Sequence, residues 1–180
     1  SCVFLGVWGA ASTASGAPAV KLEVSAPSGT VAGEAVTVRV AAVRSGKTLR
    51  SYSGRMKLSS SDPSATLPGL YRFGRKDRGV HVFRNVRLTR AGPHSVTATD
   101  VKKKAVRGTD RLSVVAGPAA TLAAEGPAQA NAGQAIQVTA TGEDAFGNPL
   151  GDVTSNLTLS MVPGEGSCSG SSCTPTLAGS

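Results

Sequence analysis

The sequence predicts an all-β protein made of two tandem β-sandwich domains, the second truncated, and three observations predict it. The chain is internally repeated. Ala17-Pro-Ala-Val-Lys-Leu22 returns as Gly117-Pro-Ala-Ala-Thr-Leu122, and Ala32-Gly-Glu-Ala-Val-Thr-Val38 returns as Ala132-Gly-Gln-Ala-Ile-Gln-Val138, both at an offset of 100. After one inserted residue the match resumes, pairing Leu49 with Leu150, Met56 with Leu157, Leu58 with Leu159 and Ser59 with Ser160. Within each copy the apolar residues alternate, which is the strand period. Turn residues punctuate the first copy at Pro27-Ser-Gly29, Gly33, Ser45-Gly46, Asp62-Pro63, Pro68-Gly69, Gly92-Pro93 and Gly108, a spacing suited to a sandwich. No segment has a helical period of useful length.

Composition bounds the answer. A 180-residue chain with 40% hydrophobic residues is too apolar for disorder, so it folds. Beyond the first twenty residues the aromatics are Tyr52, Tyr71, Phe73, Phe83 and Phe146, which predicts thin, aliphatic cores. The longest apolar stretch, Cys2 to Ala11, is about half the length that a bilayer span needs. No transmembrane helix is expected.

Taken in chain order, that apolar stretch and the small residues after it read as a secretory signal peptide lacking its basic start, with cleavage after Ala14 or Ala19. Residues 1–16 are assigned to this remnant; a first buried strand is the rival reading. The first domain is expected over 17–116. In it Val36, Val38 and Val40 alternate with Thr37, Arg39 and Ala41, and Tyr71 and Phe73 fall on the core side. From Val80 to Leu88 the phase breaks, because Phe83 is out of step with Val86 and Leu88; a bulge near Arg84 and Asn85 would restore one apolar face. Ser95-Val-Thr-Ala-Thr99 is a further strand. Val115-Ala-Gly-Pro-Ala119 is too short for a loose linker, so the copies should stack end to end with limited freedom.

The second domain is expected over 117–180, opening with Ile136, Val138 and Ala140 in alternation with Gln137, Thr139 and Thr141. Asp144-Ala-Phe-Gly-Asn-Pro149 reads as a turn, since Gly147 and Asn148 tolerate positive φ and Pro149 fixes the exit. Glu143, Asp144 and Asp152 would offer oxygen ligands for calcium, but their spacing lacks the glycine-anchored acidic loop. Ala178-Gly179 aligns with Ala91-Gly92, so the second copy should stop before its last two strands and expose an edge.

With Cys2 in the exported leader, Cys168 and Cys173 remain. An even count in an oxidising compartment favours a disulfide across their Gly-Ser spacer. Gly166-Ser-Cys168-Ser-Gly170 has the outline of a nucleophile elbow, but that motif needs a strand before and a helix after it. Pro163-Gly164 precedes it and Thr-Pro follows. Zinc needs more ligands than two cysteines. His81 and His94 are the only histidines, with no His-Glu-x-x-His and no phosphate-binding glycine loop. No enzyme activity, cofactor or metal is expected.

The net charge of +8 conceals a division. All 19 Lys and Arg lie between Lys21 and Arg111 with six acids, giving the first copy +13; the second holds five acids and no base, giving −5. The candidate polyanion-binding residues are Arg72, Arg75, Lys76 and Arg78 in one loop and Lys102, Lys103, Lys104 and Arg107 in another. The competing reading is of solvated hairpin tips that keep edges from pairing. Aromatic interleaving for nucleic acid is limited to Tyr71 and Phe73, so no specific nucleic acid is expected.

Several motifs occur in a familiar order: Ser60-Ser-Asp62 with Ala65-Thr-Leu-Pro68, Tyr71-x-Phe73, Asp77-x-Gly79-x-His81-x-Phe83, Ala91-Gly92 and Asp144-Ala-Phe-Gly-Asn-Pro149. Together they resemble bacterial immunoglobulin-like repeats of the invasin and intimin group, over Ala17 to Ser180. Arg44-Ser-Gly-Lys-Thr48 departs from the Asp-x-x-Gly-Asn usual at that place. The resemblance implies immunoglobulin-like sandwiches in a secreted or cell-surface protein, serving as a non-catalytic stalk or adhesive module. Its implied partners are neighbouring repeats in the same chain and, outside it, a cell-wall polymer, glycan or host surface. A polyanion- or carbohydrate-binding module working through the basic first domain is the alternative function.

Overall fold

In the computed structural model residues 19–176 are described; the signal-peptide remnant and the Ala178-Gly179 match lie outside them. The first nine strands are β1 (Val20–Ser25), β2 (Gly29–Val31), β3 (Ala35–Arg44), β4 (Lys47–Thr48), β5 (Arg55–Ser60), β6 (Tyr71–Arg72), β7 (Val80–Arg87), β8 (Gly92–Asp100) and β9 (Arg107–Val115). They form two sheets. In one, β3 lies between β1 and β7 and turns back into β4; the other has the order β2-β9-β8-β5-β6. All pairings are antiparallel except that of β2 with β9. Face to face they make an immunoglobulin-like sandwich.

The core follows from the alternation. Val36, Val38 and Val40 of β3 are buried, as are Met56 and Leu58 of β5, Val96 and Ala98 of β8, and Leu112 and Val114 of β9, with Leu22 and Phe73 completing it. The expected bulge is present. Val36 faces Val86 and Val38 faces Phe83, so β7 carries one residue more than β3 across Arg84 and Asn85. That extra residue turns Phe83, Val86 and the following Leu88 to the inside together.

Two of the expected turn markers lie in strands instead. Gly92 begins β8, and Gly108 sits within β9, where a Cβ would come 1.8 Å from the Leu22 carbonyl oxygen of β1. Gly108 therefore marks a close backbone approach that joins the two sheets at one side. The Ala26 N–H, just after β1, donates to Asp110 Oδ2 of β9 at 2.8 Å at the same seam.

The later strands are β10 (Ala119–Glu125), β11 (Ile136–Gln137), β12 (Thr139–Asp144), β13 (Pro149–Asp152), β14 (Gly166–Ser169) and β15 (Ser172–Pro175), in two small sheets ordered β10-β12-β13 and β11-β15-β14. β10 keeps with β12 the register that β1 keeps with β3: Leu22 faces Ala42, and Leu122 faces Gly142. Val43 faces Thr48, and Glu143 faces Pro149, which localises the inserted residue to the β12–β13 turn.

Burial differs sharply between the two sheet pairs. Among the described residues of the second, the buried apolar side chains are Ala140, Val153 and Cys173, while all seven residues of β10 are exposed. The pairing of Leu157 with Met56 and Leu159 with Leu58 predicts a strand there. The structure has a 3₁₀ turn at Thr154–Asn156 and no strand before Gly166. In the first sheet pair β5 is held by β8 on one side and β6 on the other. No described strand takes the place of β8 beside residues 157–160, so that backbone has no ladder to join.

Candidate functional site

Two sites emerge at opposite ends of the first sandwich, separated by the length of the ten-residue strand β3, roughly 30 Å. At the end where β3 begins, the β12–β13 turn docks on the first sheet pair through an acid–amide hook. Asp144, 3% exposed, accepts hydrogen bonds at Oδ1 from the Phe146 N–H at 2.8 Å and the Asn148 N–H at 2.9 Å. At Oδ2 it accepts the Gly117 N–H at 2.8 Å and the Asn148 side-chain amide at 2.7 Å. One carboxylate thus fixes both the turn and the connecting segment. Asn148 then reaches across: its Nδ2 donates to the Thr89 carbonyl at 2.7 Å, and its Oδ1 accepts the Ala91 N–H at 2.7 Å.

The receiving loop is itself fixed by a buried carboxylate. Asp62, 3% exposed, accepts the Thr89 and Arg90 N–H groups at 2.7 and 3.1 Å and the Ser64 N–H at 2.9 Å. Burial pushes both carboxyls up, but the hydrogen bonds outweigh it. Asp62 is held below the usual carboxylate range, and Asp144, with the Asn148 amide as its strongest donor, is held at about 2. Phe146 finishes the contact by laying its half-exposed ring against Gly33. A Cβ on Gly33 would come 2.3 Å from that ring, and its φ of +80° already disfavours any side chain.

Turn chemistry explains Gly147, Asn148 and Pro149 but not this docking. The signal that could have revealed it is Phe146, a large aromatic side chain at the tip of a turn in a chain with few aromatics. Asp144 does not stand free for calcium, since each of its oxygens already accepts two N–H groups.

At the other end a cleft of about 740 Å³ opens between the β3–β4 turn, the segment before β5, strand β6 and the β8–β9 turn. Arg44, Arg55, Arg72, Lys102 and Lys103 line it, together with Tyr52 and Asp100. The structure thus brings Arg72 of the first basic cluster together with Lys102 and Lys103 of the second. Arg75, Lys76, Arg78, Lys104 and Arg107 are exposed and do not line the cleft. Arg44 and Arg55 escaped the sequence reading because each stands apart from the basic runs; only the register, which sets Arg55 opposite Arg72, reveals them.

Asp100 is 3% exposed and organises this end. Its Oδ1 accepts the Lys102 and Lys103 N–H groups at 2.8 and 2.9 Å, and its Oδ2 accepts the Tyr52 hydroxyl. Burial raises the Asp100 carboxyl, but the Tyr52 and backbone donors bring it below the ordinary value; burial and the same carboxylate push the Tyr52 phenol up. Gly54 makes room for the pair, since a Cβ there would strike both.

The histidines have structural surroundings. His81 stacks on Tyr71 with ring centres 3.5 Å apart, and burial lowers its pKa more than nearby Asp77 raises it. Asp77 accepts the Tyr71 hydroxyl at 2.7 Å and the Gly74 N–H at 2.6 Å, tying down the 3₁₀ turn Arg75–Asp77. Burial and that carboxylate push the Tyr71 phenol up to about 12. His94 lies with Nε2 2.8 Å from the Arg90 carbonyl oxygen and Nδ1 3.2 Å from Ser61 Oγ.

Cys168 and Cys173 are disulfide-bonded, as expected. They face each other directly across β14 and β15, with Gly170 at φ +58° in the turn between. Cys173 also pairs with Ile136, which joins the hairpin to β11. The segment is a hairpin, not the strand–turn–helix that a nucleophile elbow requires.

No protein-family model matches the chain, and no curated protein matches it. Among solved structures it is similar to the CARDB domain of the PF1109 protein from Pyrococcus furiosus, at 19% identity and a TM-score of 0.38, over 54% of this chain and 89% of that one. It is also similar to the Escherichia coli adhesin FdeC, at 22% identity and a TM-score of 0.46, over 74% of this chain and 43% of that one. The chain spans less than half of FdeC.

Proposed function

We propose that the chain is a non-catalytic immunoglobulin-like segment of a secreted or cell-surface protein, in which successive repeats are held end to end as a stalk or adhesive module. The invasin- and intimin-like resemblance belongs to this reading, as do the secretory-signal reading of residues 1–16 and the assignment of 17–116 and 117–180 as two copies of one domain. The observation that carries it is the hook. A buried carboxylate fixes the turn and the connecting segment, and the amide of that turn bonds across to Thr89 and Ala91, so that one sheet pair is held to the next, which serves reach and orientation. The equivalent registers of β1–β3 and β10–β12, one hundred residues apart, support the repeat. The Cys168–Cys173 bond supports an oxidising location.

The test is made on intact cells of the organism that produces the chain. An antibody raised against the segment should label unpermeabilised cells or the culture medium, and material recovered there should carry the bond oxidised. Labelling only after permeabilisation, with two free thiols, would remove the reading.

A further inference from the structure

We propose that the end of the first sandwich opposite the hook is a binding groove for an anionic glycan, recognised through its sulfate, phosphate or carboxylate groups. The groove stands on its own geometry and not on the stalk reading. Its five cations, Arg44, Arg55, Arg72, Lys102 and Lys103, converge on one cleft of about 740 Å³, a size that suits a ligand of several sugar rings. The ion pairs among the described residues are Lys21–Glu23 and His81–Asp77, so none of the five has a carboxylate within 4.0 Å. The acid in the wall, Asp100, has both oxygens occupied by Tyr52 and the two lysine N–H groups.

The arrangement is costly without a ligand. Arg55 and Arg72 stand directly opposite on neighbouring strands, a placement that destabilises like charges. Lys102 and Lys103 are exposed, but their backbone N–H groups are held by the buried Asp100 carboxylate, so the turn that carries them is ordered before binding. An anion laid along the cleft relieves the repulsion and gains bidentate partners from the arginines.

The internal repeat explains how this end differs from its counterpart. In the second sheet pair the β12–β13 turn carries the hook residues Asp144 and Asn148. At the corresponding places in the β3–β4 turn stand Arg44 and Lys47, so an acid and an amide are exchanged for two cations. One pole docks a protein surface, and the same pole of the other copy presents positive charge. The occupant is a glycan and not a single-stranded nucleic acid, because the aromatic side chain in the lining, Tyr52, packs edge-on against Phe73 and commits its hydroxyl to Asp100. One aromatic side chain among the lining residues does not make the run of stacking platforms that successive bases need.

The test uses the whole chain, heparin oligosaccharide as the probe, uncharged dextran as a blank and oligothymidylate of equal charge as the competitor class. The fourfold variant Arg55→Gln, Arg72→Gln, Lys102→Gln, Lys103→Gln should weaken heparin binding at least about tenfold at 0.15 M salt. It should also flatten the slope of log K against log salt by about 3, from four lost contacts at ~0.7–0.9 each. Removing the same charge from exposed positions elsewhere, with Arg39→Gln, Lys57→Gln, Arg84→Gln and Arg111→Gln, should cost less than about threefold if the groove, and not diffuse charge, does the binding. Circular dichroism checks folding, and the milder pair Arg44→Gln, Arg72→Gln is read the same way if the fourfold variant unfolds. Equal weakening by both fourfold sets would overturn the groove, as would no heparin binding at low salt. Oligothymidylate binding as tightly as heparin would overturn the glycan.

Discussion

Replacing Asn148 by Ala tests the hook, because that side chain makes the direct bonds between the two sheet pairs at Thr89 and Ala91. Two neutral hydrogen bonds across the junction are lost, each with a net worth of about 0.5–1.5 kcal/mol, so docking weakens by about 1–3 kcal/mol. At about 1.4 kcal/mol per decade, the undocked population rises roughly 5- to 150-fold. The third bond, to Asp144 Oδ2, lies within the turn and loosens it without adding to the junction itself. Residual dipolar couplings provide the assay: couplings from both sheet pairs should fit one alignment tensor in the native chain and require two in the variant. Amide exchange at Ala91 should accelerate by the same factor. Asn148→Asp is a sharper control, since it keeps the acceptor for Ala91, loses the donor to Thr89 and sets a second carboxylate beside Asp144. It should undock further than Ala at neutral pH. A single tensor for Asn148→Ala, with Ala91 exchange within twofold of native, would refute the hook.

Acid should release the junction late. The Asp144 carboxyl is held at about 2 in the fold against ~3.9 in an unfolded chain, so its stabilisation is complete above about pH 4 and is lost as pH falls toward 2; separation of the two tensors between pH 7 and pH 5 would contradict this. Reducing Cys168–Cys173, which closes a very short loop, should cost at most about 2 kcal/mol and loosen the β14–β15 hairpin while leaving β1–β9 untouched, as amide exchange would report. Tyr52→Phe removes a hydrogen bond to the buried Asp100 carboxylate, worth about 1.5 kcal/mol at the low end for a charged partner. Faster exchange at the Lys102 and Lys103 amides should accompany a lower Tm, and unchanged exchange there would sink the claim that Asp100 and Tyr52 hold the basic turn.

The first sandwich was legible because its burial is local and periodic. Alternation located β3, the strand read over 95–99 falls within β8, and the phase break around Phe83 was enough to place the bulge at Arg84 and Asn85, since a strand has two faces and a slip of one shows in the pattern. Gly108 was misread as a turn because nothing in a one-dimensional pattern shows that the Leu22 backbone passes over it. The hook was hidden for the same reason. Asp62 and Asp144 look like ordinary turn residues, and their burial comes from long-range donors at Thr89, Arg90 and Gly117. The groove was half visible: runs of lysine announce themselves, whereas Arg44 and Arg55 join them only when the strands are paired and the turns brought together.

The hook also bears on how the second sheet pair stays ordered. Its described residues bury the side chains of Ala140, Val153 and Cys173 and leave Leu122 53% and Val162 63% exposed, so hydrophobic burial contributes little to fixing its strands. What it does have is polar. Asp144 gathers four donors, Thr154 Oγ1 accepts the Ala140 N–H at 2.7 Å, and the disulfide closes the far hairpin. Local hydrogen bonds of this kind, exposed to water, open at low cost unless packing keeps solvent out. At the junction it does: Asp144 and Asn148 are the buried polar residues of the second sheet pair, and they lie against the first sandwich, whose own core is complete. Order in the second sheet pair is therefore borrowed through the same contact that sets its direction, and a substitution that frees the orientation should also lower protection in β12 and β13. Stiffness and local stability at this junction are one property, carried by Asp144 and Asn148.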